Sequence, residues 1–469
     1  MDYLGVELPS FEAGWVWLAG AGPGDPGLLT LHALHEPRQF NLVQLLALLL
    51  NRGVLNRQPL ARNYPDRLPM IALASWLDQF EPSPVMAINR KTRELKAAGV
   101  DVISLSIGAP DFETPENAKL GAVEAIGRGD TRYTNVDGTT ELKAAIQEKF
   151  RRENGLDYAL DQISVGTGAK QVVFNALMAT LNPGDEVIVP APYYATYPDI
   201  ARVAGAVPRI VACSSDSGFK LSPAALEGAI TERSRWLALN SPGNPSGAVY
   251  DHDELAALAE VLRRHPGVAI LSDDIYEHFL YDGATFATMA AVAPDIGERT
   301  LTLNGVSKTY GMTGWRIGYA GGPAELIRAM ARIQFQCTTS PCSVSQAAAV
   351  SAILGPQDEV RTRMAQFEKR RDLVVGMLNE IDGLDCLSPR GSFYAYPNCA
   401  GLVGKRAPDG GTIDTDTDLA IYILEAERVS VLPGAAYGLS PHIRVSFAND
   451  EDALREGCAR IARACSALE

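Results

Sequence analysis

Ser307-Lys308, with Arg316 eight positions on, is the grouping in this sequence best suited to covalent chemistry. A lysine amine can condense with an aldehyde, while a neighbouring hydroxyl and a guanidinium hold a phosphate, the arginine by a two-pronged hydrogen bond. The group therefore suits an aldehyde cofactor that carries a phosphate. Just before it, Thr300-Leu301-Thr302-Leu303 alternates as a strand does and Asn304-Gly305 breaks the run; Ile317 to Ala320 is a second short apolar run. The lysine is thus expected at a strand end, where open α/β sheets place ligands.

Other residues could serve the same chemistry. Asp273, in LSDDIYEHF, follows the apolar run Val268–Leu271, with Tyr276 three positions later. A carboxylate beside a pyridine nitrogen keeps it protonated, although by spacing alone Asp273 serves equally well as a helix cap. Asn240–Gly247 reads NSPGNPSG, which is a Pro/Gly turn in isolation. Gly168-Ala169-Lys170 opens a helix, where small residues leave backbone N–H groups free for an anion. Taken singly, Tyr133, Tyr194, Gly108 and Arg444 read as a loop aromatic, a core aromatic, a turn glycine and a solvated charge.

Together they resemble one family. SKTYGMTGWRIGY is similar to the cofactor-lysine segment of class I aminotransferases, fold-type I enzymes that use pyridoxal 5′-phosphate (PLP). The similarity runs from about Ala72 to the C-terminus, and its motifs fall in the family's order. The resemblance implies that Lys308 carries the cofactor and moves the Cα proton to its C4′. It assigns the phosphate to Gly168, Ala169, Lys170, Ser307 and Arg316, and the ring nitrogen to Asp273. Asn244 and Tyr276 fall to the phenolic oxygen and Tyr194 to the ring face. Substrate contacts are expected from Gly108, Lys170, Tyr194, Asn244 and Arg444, the last clamping the α-carboxylate. Tyr133, in RYTNVDG, matches a tyrosine that reaches the neighbouring subunit's phosphate, which makes the expected enzyme a homodimer.

Within the family, the chain resembles thermophile-type aspartate aminotransferases. There, a lysine in a GGKQ-like motif meets the substrate's distal carboxylate, and Lys170 lies in GAKQ. Ser83 keeps one hydroxyl of a nearby polar pair, while Val85, Glu81 and Tyr194 depart from that type. The reading is aspartate with 2-oxoglutarate, against aromatic or other neutral amino acids or a PLP lyase on the same fold.

The elements must deliver these residues. Strands are expected at Val102–Ile107, Gln162–Val165, Glu186–Val189, Val207–Val211, Trp236–Leu239 and Val268–Leu271, with helices at Ala87–Ala98, over Thr139–Glu153 and from Lys170. This alternation predicts an α/β fold with a mainly parallel, doubly covered sheet, seven-stranded if the resemblance holds. Helices over Pro323–Phe335, Ser343–Leu354 and Asp358–Ile381, with short strands, suggest a second, smaller domain. The expected division is 72–115 with 336–469 as the small domain and 116–335 as the PLP-binding domain.

Composition narrows the class. A chain of 469 residues, 46% hydrophobic and 21% charged, can hold two or three domains. A formal charge of -14 argues against a nucleic-acid partner and against a PLP-sensing regulator, which needs a basic recognition helix. The seven cysteines show no CxxC spacing and the six histidines no HExxH pair, so reduced cytoplasmic thiols and no metal are expected. Val16–Leu34 resembles the glycine-rich opening of tetrapyrrole methyltransferases, but no continuation follows. Leu42–Leu50 is too short to span a membrane. Residues 1–71 read as an atypical extension and linker, with Met70 a plausible alternative start.

Overall fold

The computed structural model describes Leu77, Phe80 and residues 84–469. The methyltransferase-like segment, Met70, Ser83 and Glu81 lie outside the described residues.

Twelve strands are described: β1 (Ile103–Ser104), β2 (Ile163–Gly166), β3 (Glu186–Ala191), β4 (Val207–Ala212), β5 (Ser234–Asn240), β6 (Ala269–Asp273), β7 (Thr300–Gly305), β8 (Gly318–Gly321), β9 (Tyr394–Ala395), β10 (Val429–Ser430), β11 (Leu432–Pro433) and β12 (Ile443–Ser446). Seven form one sheet in the order β2-β8-β7-β6-β5-β3-β4. Its strands from β7 to β4 run parallel, whereas β8 is antiparallel to both β7 and β2. β5 and β7 are buried along nearly their whole length because helices cover both faces. The mainly parallel, seven-stranded α/β sheet expected from the sequence is the one observed.

Register aligns the site. Asn240 pairs with Asp273, Asp273 with Leu303, and Gly305 with Gly318, which in turn faces Gly166. The carboxyl ends of four strands, β2, β5, β6 and β7, therefore meet the start of β8 along one edge.

Several boundaries differ from the expected ones. Val102–Ile107 forms only the two-residue β1, paired with β10. Beyond it, the carbonyls of Ser106 and Gly108 accept side-chain bonds instead of a ladder. The helix over Thr139–Glu153 is α-helical only to Lys149 and closes with a π turn, Phe150–Asn154, before Gly155 in the left-handed conformation. The helix expected from Lys170 spans Ala169–Thr180, and the one to Ile381 ends at Asn379. Asp273, expected just after its strand, is the strand's last residue.

Beside the large sheet, β11, β12 and β9 form an antiparallel sheet. The Asp358–Asn379, Asp416–Glu427 and Glu451–Ser466 helices pack on it around Phe367, Phe393, Tyr394 and Phe447. Capping fixes the starts of two of these helices: Thr415 with Asp418 forms a capping box, and Asp450 accepts from the Ala453 N–H.

Candidate active site

Lys308 lies three residues beyond β7, half-buried, and its Nζ donates to the Gly108 carbonyl at 2.6 Å. It stands 5.8 Å from the Tyr276 ring centroid and 5.9 Å from that of Phe393. Burial, reinforced by the nearby Arg444 charge, lowers its pKa to about 8. Ser307, just before it, is buried.

Asp273 faces the same space from the end of β6. Burial raises its carboxyl to about 6, against the opposing effect of a 2.5 Å hydrogen bond from Tyr197 and one at 3.2 Å from the Ile275 N–H. A lysine amine with a lowered pKa and a carboxyl with a raised one thus share the site.

Arg444 enters from β12. Its Nη1 donates to Asn244 Oδ1 at 3.1 Å and its Nη2 to the Ser106 carbonyl at 2.6 Å. The guanidinium lies 4.3 Å from the Tyr394 ring centroid and 5.1 Å from that of Tyr437. Its buried Nε makes no hydrogen bond among the described residues, leaving one donor for a ligand. Tyr276 and Tyr394 share a hydroxyl–hydroxyl bond of 3.0 Å. Gly108 is close by, since a Cβ there would lie 3.0 Å from the Tyr394 hydroxyl.

The other end of the site is built on Gly168, the residue capping the Ala169–Thr180 helix. Its φ of +85° suits glycine, and a Cβ would fall 2.1 Å from Arg316 Nη2. Arg316 itself adopts φ 57° and is held by a bond from its Nη1 to the Thr313 carbonyl at 2.9 Å. Free helix-start N–H groups and a guanidinium therefore share one cradle. Gly318 is equally tight: a Cβ there would lie 2.0 Å from the Ala169 nitrogen.

Lys170 is exposed at this helix start, 5.6 Å from the Tyr194 ring centroid, and Tyr194 meets Tyr197 edge-on at 5.6 Å. The fold therefore brings together Lys308, Gly108, Asp273, Tyr276, Asn244 and Arg444, with Gly168, Ala169, Arg316, Lys170 and Tyr194 alongside. Tyr133 stands apart, 89% exposed. Sequence reasoning missed Tyr197, Tyr394 and the Ser106 carbonyl. The spacing of Tyr197 three residues after Tyr194 on a helix start was the available signal.

Residues 100–461 match the family model of aminotransferase class I and II. The chain belongs to this family. This aminotransferase is 54% identical over 395 residues to an aspartate aminotransferase of Rhizobium meliloti, covering 84% of the chain and 96% of the relative. It is also 54% identical to an aspartate/prephenate aminotransferase of Cereibacter sphaeroides, over 85% of the chain and all of the relative. Among solved structures, the Rhizobium meliloti aspartate aminotransferase superposes with a TM-score of 0.83 at 54% identity, covering 85% of this chain and 100% of that one. Thermus thermophilus aspartate aminotransferase with maleate gives 0.77 at 39%, covering 84% and 100%.

Aminotransferases of this class work with pyridoxal 5′-phosphate, and this one does so too. The observed chemistry fits that group. An amine, a buried carboxyl, and a Cβ-free helix start beside a guanidinium are what an aldehyde, a pyridine nitrogen and a phosphate require.

Proposed function

We propose that the protein transfers the amino group of aspartate to 2-oxoglutarate at the site around Lys308. The observation that carries this reading is the Lys308 amine, set to about pKa 8 within reach of Asp273 and Arg444. A base of that pKa is available in part near neutral pH and gives its proton back readily.

When bound, the cofactor supplies an aldehyde to carry nitrogen and a ring that draws off the electron pair of the breaking Cα–H bond. Gly168, Ala169 and Lys170, through their helix-start N–H groups, together with Ser307 and Arg316, would hold its phosphate, and Tyr194 would lie against its ring. Asp273 would keep a proton at the pyridine nitrogen, its charge steadied by Tyr197. Asn244 and Tyr276 would bond the phenolic oxygen. Arg444 orients the substrate through the α-carboxylate, using Nε and whatever donors leave Asn244 and Ser106. Lys308 removes the amino acid's Cα proton and, in the reverse half-reaction, returns one to the Cα of the 2-oxo acid. Gly108, now bonded to Lys308, closes over the substrate carboxylate.

A homodimer is the assembly this reading needs, with Tyr133 completing a second copy's phosphate site. Support comes from the exposure of Tyr133 and from Leu120, Val123 and Ile126, each more than half exposed on the Glu116–Arg128 helix. We assign 72–115 and 336–469 to the small domain and 116–335 to the PLP-binding domain. A cytoplasmic location agrees with seven free cysteines. Among the described residues no helix is long and apolar enough to cross a membrane.

Lys170 supports the dicarboxylate choice because its ammonium sits exposed beside Tyr194. The Cereibacter relative's name supports a second acceptor, prephenate, a 2-oxo acid that also carries a distal carboxylate. Specificity constants for aspartate, phenylalanine, methionine and alanine, measured with Lys170→Ala alongside, test the choice. A loss of about ten- to hundredfold confined to aspartate is expected. An equal loss for all four would assign Lys170 to the phosphate and remove the aspartate reading's main support.

A further inference from the structure

We propose that Gln334 and Gln346, buried in two different helices, are positioning residues that set the Tyr133 loop for its reach into a second copy's phosphate site. The inference rests on the reading of Tyr133 given above and adds the residues that make that reach possible.

Gln346 lies in the Ser343–Leu354 helix and has no exposed surface. Its Nε2 donates to Thr134 Oγ1 and to the Pro341 carbonyl, each at 3.0 Å, and its Oε1 accepts from the Thr139 N–H at 2.8 Å. Gln334 lies in the Ala324–Cys337 helix, 1% exposed. Its Nε2 donates to the Val136 carbonyl and, at 2.8 Å, to the Val165 carbonyl on β2; its Oε1 accepts from Asn175 Nδ2 at 2.8 Å. The Val165 N–H completes the attachment by donating to the Asp137 carbonyl at 2.9 Å.

A buried primary amide is costly unless its donors and acceptor are met. Gln346 makes two of its three bonds to one irregular loop, 134–139, and Gln334 makes one there while its other two tie that point to β2 and Asn175; neither is satisfied within its own helix. Gly138, at φ 109°, lets that loop press onto β2, for a Cβ would lie 2.6 Å from Val165 Cγ2. Lys143 adds an ion pair to Asp137 at 2.6 Å. The loop is thus stapled through the Thr134 side chain and the backbone of Val136, Asp137 and Thr139, yet the preceding Tyr133 is 89% exposed. An aromatic on a stapled stem gives up little freedom when it docks, which is the requirement for a residue that acts across a subunit boundary.

The test uses the full-length protein stripped of cofactor and titrated with PLP, following equilibrium affinity by absorbance and assembly by sedimentation. Tyr133→Phe, Gln346→Leu and Thr134→Val are each expected to raise the PLP Kd about five- to tenfold with the sedimenting mass unchanged. Tyr133→Phe/Gln346→Leu should bind no more weakly than Tyr133→Phe alone, because both act through one contact. Thr134→Val removes a single staple at a partly exposed position, so it reports even if Gln346→Leu fails to fold. If Tyr133→Phe weakens PLP while Thr134→Val and Gln346→Leu bind as wild type, or if the double variant's loss is additive, the positioning inference is overturned and the tyrosine's role stands. If Tyr133→Phe itself binds as wild type, the parent reading fails first.

Discussion

Lys308, the proposed catalytic lysine, is held at a cost to stability. Its pKa falls from 10.5 to about 8 because burial, and then Arg444, disfavour the ammonium. Between those values the unfolded chain binds more protons than the folded one, so stability of the cofactor-free protein rises with pH through that window. Below about pH 8 the full penalty applies, at most about 3 kcal/mol. Lys308→Met should abolish transamination, raise cofactor-free stability at pH 7 by about 1–3 kcal/mol, and flatten the rise between about pH 8 and 10.5. Urea unfolding across pH measures this. Parallel profiles for the two proteins would contradict it.

At the scale of elements, two close approaches hold the site. The first is the Gly168 turn against Arg316. Gly168→Ala puts a Cβ 2.1 Å from the guanidinium on a backbone at φ +85°, so the cradle must open. We expect a fall in PLP affinity of at least about tenfold and a stability loss of about 1–2 kcal/mol, read by cofactor titration and thermal melting. The second lies behind β7, where the Glu277 carboxylate accepts from Lys149, from Asn304 at 2.8 Å and from Asn154 at 2.7 Å. Burial acts to raise the Glu277 carboxyl, but the Lys149 charge and these bonds bring it below the usual range. Glu153 and His278 adjoin it, and the Lys149 ammonium already supplies the cation to this acidic group. Lys149→Met leaves the buried Glu277 charge without its ammonium partner, costing about 3–5 kcal/mol, and adding Glu277→Leu should recover part of that. A single variant as stable as wild type by denaturant unfolding would refute the dependence.

For the whole molecule, every residue assigned to the site lies between Ser106 and Arg444, within the compact unit Ala74–Glu469. A chain beginning at Met70 retains that unit whole, so it should keep cofactor binding, assembly and turnover within about twofold of the full-length protein. Sedimentation and steady-state kinetics check it. An insoluble or inactive shortened chain would make the preceding segment a structural part of the enzyme.

What the sequence by itself determined was local. Ser307, Lys308 and Arg316 fall within ten residues, and NSPGNPSG and GAK are single turns. Their chemistry and spacing are written in consecutive residue types, so motif and fold class could be read together. The strand alternation that implied a parallel sheet is likewise a short-range pattern. Tertiary structure alone decided the rest. β8 turned out antiparallel, with Gly318 at its start packed against the Ala169 nitrogen. Tyr197 found Asp273 across 76 positions and Arg444 found the Ser106 carbonyl across 338. Two glutamines with no motif around them proved to anchor the Tyr133 loop. Partners so distant in the chain are chosen by which strand ends and helix faces meet, and burial then shifts the pKa of Lys308 and Asp273 to values that their types alone do not reveal.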